Sequence, residues 1–202
     1  MINTRFPYWV FTLVIVIVIG ILILTVGGGN RTFTLREGIG HFSFKYPSRY
    51  EPEIVRTETG PLGPETYVVL FTSTTGHAIV EYHDAEILVH IGNIEARGRN
   101  SEEAAEFNIS YWSRDEDFRL IERSSIEVAG IRGEQIVYSY VNEFTPHVSL
   151  GMHSVNKPAI RRGVFFDYNG QSWSISVTGH ESIDDIVKKD YNHILETFKI
   201  IE

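Results

Sequence analysis

Hydrophobic and polar positions along this chain fall into two regimes. Residues 9–26 carry no charge and are dominated by Leu, Ile and Val, with Thr12, Gly20 and Thr25 as interruptions. As a helix rising ~1.5 Å per residue these 18 positions would reach ~27 Å, close to the ~30 Å hydrocarbon core of a bilayer. Beyond Gly27-Gly28-Gly29 the pattern changes to short alternating runs. In His41-Phe42-Ser43-Phe44-Lys45-Tyr46 the odd positions are polar and the even ones aromatic, so Phe42, Phe44 and Tyr46 share a strand face before Pro47 ends it. Residues 66–73 form a β-branched and aromatic run, set off from Glu53-Ile54-Val55 by Gly60-Pro61-Leu62-Gly63-Pro64. In residues 85–91, Ile87, Val89 and Ile91 fall on one side.

Two hairpins are legible. Val128-Ala129-Gly130-Ile131-Arg132-Gly133 joins a strand beginning near Phe118 to one over residues 135–141, and Asn169-Gly170 joins 164–168 to 171–178. In the last strand Trp173, Ile175 and Val177 alternate with Ser172, Ser174 and Ser176; the apolar set is expected inward and the serines outward or on a polar surface. Two helices interrupt the strands. Asn100 with Glu103 three residues on is an N-cap pattern, and Ala104, Phe107 and Tyr111 follow at helical spacing. Ser182 with Asp185 is a second cap pattern, followed by a stripe of Ile183, Ile186, Val187, Tyr191, Ile194 and Phe198. An α+β fold is expected, an antiparallel sheet flanked by helices, preceded by one transmembrane helix.

The expected organisation is a short N-terminal tail over residues 1–8, a membrane span over 9–26, a Gly-rich joint over 27–30 and one domain over 31–202. Residues 9–26 exceed the ~7–15-residue apolar core of a cleaved signal, and no Cys follows to take a lipid, so an uncleaved anchor is expected ahead of a cleaved signal. Tyr8 and Trp9 suit the membrane interface. Arg5 stands on the short side and Arg31 and Arg36 on the other, so Lys and Arg do not decide orientation. A folded domain behind such an anchor most often faces away from the cytosol, and an extracytoplasmic, single-pass placement is the expectation.

Charge narrows the partners. All 26 acidic residues follow the span and Arg5 precedes it, which leaves the domain at a formal −9 against −8 for the chain. Such a domain repels phosphate backbones, and no nucleic-acid partner is expected. The absence of cysteine excludes disulfides, thiol catalysis and Cys-ligated zinc.

Phe42-Ser43-Phe44-Lys45-Tyr46-Pro47 followed by Tyr50 resembles the opening of PsbP-like/Mog1-like domains. The turn Ile131-Arg132-Gly133 into Ile136-Val137-Tyr138-Ser139-Tyr140 looks like their central hairpin, and the Asn169-Gly170 hairpin with a last helix ending Glu196-Thr197-Phe198-Lys199-Ile200 looks like their C-terminus. The resemblance covers most of residues 31–202 and implies an α/β/α sandwich, with an antiparallel sheet between helices. Proteins of this kind include extrinsic photosystem II subunits, a small-GTPase-binding import factor and anchored or secreted bacterial domains, so the resemblance implies no single activity.

Motifs for chemistry are few. The chain holds no Gly-x-Ser-x-Gly elbow, Gly-rich phosphate loop or His-Glu-x-x-His, so no catalytic residue, no enzyme activity and no cofactor is assigned. His77, Glu81 and His83 would share a strand face, with Asp84 next and His90 beyond; they are weak metal candidates set against exposed polar positions on a sheet. Residues 142–159 lack periodicity and hold Phe144 and Met152, with Arg161 and Arg162 just beyond. Aromatic, Met and Arg side chains are typical interface anchors, which makes these four the candidate contacts for an unknown protein partner, against a simple crossover between strands. The expected function is a non-enzymatic binding or accessory module that touches the lipid bilayer through residues 9–26 and acts by protein contacts at the membrane surface. A small-ligand or metal-ion sensing or carrier domain is the alternative.

Overall fold

The computed structural model describes residues 29–36, 39–60, 63–72, 85–93, 99–144 and 155–201. Its elements are β1 (Asn30–Leu35), β2 (Phe42–Pro47), β3 (Tyr50–Gly60), β4 (Gly63–Thr72), β5 (Ala85–Asn93), α1 (Ser101–Trp112), β6 (Arg119–Val128), β7 (Ile131–Phe144), β8 (Val155–Tyr168), β9 (Gln171–His180), a 3-10 turn (Glu181–Ile183), α2 (Asp184–Thr197) and β10 (Lys199–Ile200). Seven strands form one sheet in the order β3-β4-β5-β9-β8-β7-β6, and every described pairing in it is antiparallel. The alternating run of β2 does not join that sheet. It pairs with β1 and β10 in a separate three-stranded sheet. Asn30, read as part of the joint, is the first residue of β1 and pairs with Pro47.

The two faces of the large sheet have different cover. One packs against α2 and the small sheet and holds the main core, where Phe42, Val164, Phe166, Trp173, Ile175, Val177, Tyr191 and Phe198 meet. Trp173 is 1% exposed, with the rings of Phe42 and Phe166 both at 5.9 Å and Phe198 at 6.2 Å. Close approach is built in. A Cβ on Gly179 would lie 2.5 Å from Val187 Cγ2, so glycine there lets α2 settle onto β9. The other face carries α1 over a smaller cluster of Ala104, Ala105, Ile136, Tyr138, Tyr140, Ala159 and Phe165.

Both hairpin turns are two residues long with left-handed backbones, at Ala129 (φ 52°) and Gly130 (φ 79°) and at Asn169 (φ 50°) and Gly170 (φ 73°). That geometry matches the right-handed twist of the flanking strands. Helix α1 starts as its cap pattern predicts: Glu103 N donates to Asn100 Oδ1 at 2.9 Å and Arg99 N to Glu103 Oε2 at 2.8 Å. Its buried side differs from the expected one. Ala104 and Ala105 are buried with Ile109 and Trp112 against the cluster, while Phe107 and Tyr111 stand 51% and 54% exposed. The apolar arc is wider than the contact, and the sheet takes the edge where alanines allow the closest approach. In α2 the stripe Val187, Tyr191, Ile194 and Phe198 is buried as expected, but Ile186 is half exposed. The cap is also shifted: His180 Nδ1 accepts from Ser182 N at 3.1 Å to open the 3-10 turn before Asp184. Asp190, on the buried side of α2, accepts from Arg49 and from the Tyr50 hydroxyl at 2.8 Å, which ties the start of β3 to the helix.

Within the stretch 142–159, residues 142–144 and 155–159 are strand rather than loop, and 145–154 lie outside the described residues. Strands β7 and β8 stay in register to Phe144 opposite Val155, so at most residues 145–154 connect them. Pairing of β8 with β9 begins at Ala159 opposite His180, and pairing of β7 with β6 stops at Ser139. The far end of this hairpin therefore projects past both neighbours as a two-stranded ribbon. Pro158 belongs to that ribbon, where its missing N–H faces no second strand, and this is why a proline sits in β8 without breaking it. The proline and the polar Asn142, Glu143, Asn156 and Lys157 masked the strand in the sequence.

Among the described residues no helix is long and apolar enough to cross a membrane, and the expected span over 9–26 lies outside them.

Candidate functional site

The face of the large sheet beneath α1 is built from unusually small side chains. Gly163 of β8 lies opposite Ser176 of β9, and Phe165 lies opposite Ser174. The serines expected on an outer or polar surface are thus buried, Ser174 and Ser176 included, because α1 roofs this face instead of solvent. The roof is pinned on its far side by Arg123 of β6, whose guanidinium meets Glu106 of α1 at 2.7 Å and Glu134 of β7 at 3.6 Å. Small residues below and alanines above leave a cavity of about 280 Å³. Gly163, Ser174 and Ser176 form its floor, Leu88 and Phe165 stand beside them, and Phe107, Tyr111 and Trp112 of α1 line its helical side.

Arg161 reaches into this cavity. Strand alternation places it one pair along from Gly163, between Tyr138 of β7 and Thr178 of β9, and its Nη2 donates to Ser176 Oγ at 2.8 Å. Among the described residues no carboxylate forms an ion pair with it. Glu86 of β5, two strands away and also opposite Thr178, acts on it at longer range, and the Tyr140 hydroxyl is its other neighbour. Burial works against the Arg161 charge, but Tyr138, Glu86 and Tyr140 outweigh it and the group is held as a cation. Tyr138, 1% exposed, has a buried hydroxyl without a hydrogen-bond partner. Burial pushes that hydroxyl well above the usual phenol range, partly opposed by Arg161.

Of the four candidate partner contacts, the structure separates the two arginines. Arg161 and Arg162 are neighbours on one strand and so point to opposite faces. Arg162 faces the main core, 7% exposed, and forms a two-pronged ion pair with Asp184 at the start of α2, with Nη2 to Oδ2 at 2.7 Å. It cannot share a contact surface with Arg161. The backbone of Phe144 ends β7 opposite Val155, and its side chain, like the whole of Met152, lies outside the described residues.

The end of the domain where the β7–β8 ribbon projects is apolar. Leu120, Ile121 and Val141 are exposed there, and Leu120 pairs with Tyr138 beside an irregularity in β6. The C-terminal turn of α1 reaches the same end, with the Trp112 and Tyr140 rings 4.9 Å apart and Tyr111 exposed next to them.

The metal candidates His77, Glu81 and His83 lie outside the described residues, as does Asp84. His90 is buried on β5 with its Nε2 3.3 Å from Glu65 Oε2 and the Tyr67 ring at 4.4 Å. Among the described residues no group of three or more His, Cys, Asp or Glu is placed to hold a metal ion. The cavity residues Tyr138, Gly163 and Ser176 went unnoticed in the sequence, although the Ser172-Ser174-Ser176 alternation was the signal that one face of β9 is small and polar.

No family model matches the chain, and no curated protein sequence matches it. Solved structures do. The Ran-binding protein Mog1p of Saccharomyces cerevisiae aligns over 87% of this chain and 97% of its own, at 10% identity and a TM-score of 0.53. Cyanobacterial PsbP (CyanoP) from Synechocystis sp. PCC 6803 aligns over 85% of this chain and 92% of its own, at 13% identity and a TM-score of 0.51. The chain has the PsbP/Mog1-like fold.

Proposed function

We propose that this protein is a non-enzymatic binding module, held at a membrane by residues 9–26 with its domain outside the cytosol, that docks a partner protein with the ribbon end of its large sheet. One observation carries the reading: Leu120 and Ile121 of β6 and Val141 of β7 are all exposed where the ribbon leaves the sheet, on both of its faces. Apolar side chains gathered at one end of a sheet, next to a projecting ribbon, are the composition of an interface centre. The Ran-binding description of Mog1p, which shares the fold, is consistent with a protein ligand. Phe144 belongs to the same proposal as the last residue of β7, Met152 by its place in the sequence between β7 and β8, and Arg161 through the adjoining cavity; Arg162 does not.

The test changes Leu120, Ile121 and Val141 together to Ser in the full-length protein and compares what each form recovers from its native membrane. Exposed positions of this kind shift stability by about 0.5 kcal/mol or less each, whereas interface anchors lose more than ~1 kcal/mol of binding. The variant should melt close to the wild type and lose the recovered partner. Unfolding of the variant would make these residues structural, and undiminished recovery would move the interface elsewhere. A second reading, a carrier or sensor of a small ligand, is favoured by the cavity beneath α1.

A further inference from the structure

The cavity beneath α1 is not an inert gap. Its walls are aromatic and aliphatic, from Phe107, Trp112, Phe165 and Leu88, yet it contains the Arg161 guanidinium and the buried Tyr138 hydroxyl, which has no hydrogen-bond partner among the described residues. Both polar groups come from directly opposed positions, Arg161 on β8 and Tyr138 on β7, so they approach the space from adjoining strands. Arg161 donates to Ser176 Oγ and shares a hydrogen bond with the Tyr140 hydroxyl, which leaves further N–H groups of its fork, and among the described residues no carboxylate is bonded to it. A buried donor left without an acceptor costs on the order of 1–3 kcal/mol, and a native protein keeps one where a ligand or water completes it. A guanidinium fork and a hydroxyl together are donors for a planar anion. Glu86, lying on the same row of the sheet, already offsets part of the guanidinium charge, which weighs against a dianion more than against a monoanion.

We propose that this cavity binds a compact carboxylate with an apolar or aromatic body, its carboxylate received by Arg161 and the Tyr138 hydroxyl and its body lying against Phe107, Trp112 and Phe165. The volume of about 280 Å³ is that of about nine waters, or a ligand of about ten non-hydrogen atoms, at ~30 Å³ per water. The shared chemistry is a monoanionic carboxylate, whether on a free small acid or at the end of a peptide. The inference rests on the ligand-carrier reading and is independent of protein docking at the ribbon end.

The test uses the purified full-length chain and ligand-observed NMR titration with phenylacetate and its neutral isostere phenylacetamide. Phenylacetate should bind at least about tenfold more tightly, the loss expected when a charge-assisted hydrogen-bonded pair is removed. Arg161→Gln should erase the preference. Tyr138→Phe removes an unpartnered hydroxyl, so it should fold with unchanged melting temperature and weaken phenylacetate severalfold. A Cβ on Gly163 would meet Ser176 Cβ at 3.5 Å, an ordinary contact, so the backbone accepts a side chain there, and Gly163→Val, with its folding checked by thermal melt, should fill the floor and abolish binding of both probes. A Gly-Gly-Phe peptide with a free terminus, compared with its amide, tells a chain end from a free acid, and binding by either carboxylate supports the site. Equal affinity for phenylacetate and phenylacetamide would overturn the carboxylate assignment while leaving a carrier. Failure of both probes to bind, or undiminished binding in folded Gly163→Val, would overturn the cavity as a ligand site.

Discussion

Two adjacent arginines offer a sharp test of the strand register. Arg162 lies in the main core and bridges β8 to the first residue of α2 through its ion pair with Asp184. Replacing it with Ala removes charge-assisted hydrogen bonds that are each worth ~1.5–3 kcal/mol, together with the packing of its stem. Part of that loss is recovered, because the Asp184 side chain is 27% exposed and sits at a helix N-terminus, where water and the macrodipole stabilise an anion. The net cost is about 2–3 kcal/mol, which lowers the melting temperature by about 4–12 °C for a domain of this size. Arg161→Gln, by contrast, touches a guanidinium beside a cavity, and its cost should stay within about 1 kcal/mol. Asp184→Asn should be at least as harmful as Arg162→Ala, since it leaves a buried guanidinium unpaired. A double-mutant cycle of Arg162→Met with Asp184→Asn should show a coupling of about 1–3 kcal/mol by urea unfolding. Equal losses at Arg161 and Arg162, or a coupling near zero, would refute the assignment of the two side chains to opposite faces.

Other changes probe the same architecture. Trp173→Ala opens a large space among Phe42, Phe166 and Phe198 and should cost about 3–5 kcal/mol by chemical denaturation, whereas Ser174→Ala on the cavity floor should stay under about 1 kcal/mol. Gly179→Ala should destabilise the domain measurably in a thermal melt, because the added methyl collides with Val187 unless α2 moves. Asp167 is half buried, its Oδ2 accepting from Ser101 N at 2.6 Å; burial raises its pKa above the ordinary carboxylate value, and the Ser101 bond only partly offsets this. A raised carboxylate pKa means that the folded state keeps its proton more tightly than the unfolded chain, so ionisation lowers stability above the unfolded pKa of ~3.9. Asp167→Asn should therefore melt higher than the wild type at neutral pH, and the advantage should fade as the pH falls through the carboxylate range. For the proposed anchor, the full-length protein should keep its N-terminus and resist carbonate extraction from membranes; a mature N-terminus near Gly28 would refute it.

The local signals in this chain were strong wherever the main-core residues of a strand keep to one face. That condition holds for Phe42, Phe44 and Tyr46 in β2, for Ile87, Val89 and Ile91 in β5, and for Trp173, Ile175 and Val177 in β9, all of which alternate and are buried as read. It holds for the turns too, because left-handed backbone at Asn169-Gly170 is a property of those residues. Where neither face is covered, periodicity fails. The ribbon end of β7 and β8 lies beyond the helical roof and beyond both neighbouring strands, so its mixed Asn, Glu, Lys and Pro composition read as loop. The serine face of β9 read as exterior or polar surface, because a serine suits either solvent or a polar cavity, and only the placement of α1 decides which. Likewise an arginine pair gives no sign of which member enters the core; strand parity sets them apart, and the position of Asp184 on α2 decides which is held. The chain by itself determined β2, parts of the seven large-sheet strands, two tight turns and the two helices, since those depend on near neighbours; β1, β10 and the ribbon end did not show in it. The second sheet, the cavity with Arg161 and Tyr138, and the Arg162–Asp184 pair arise between residues distant in sequence, and only the packing of the layers brings them together.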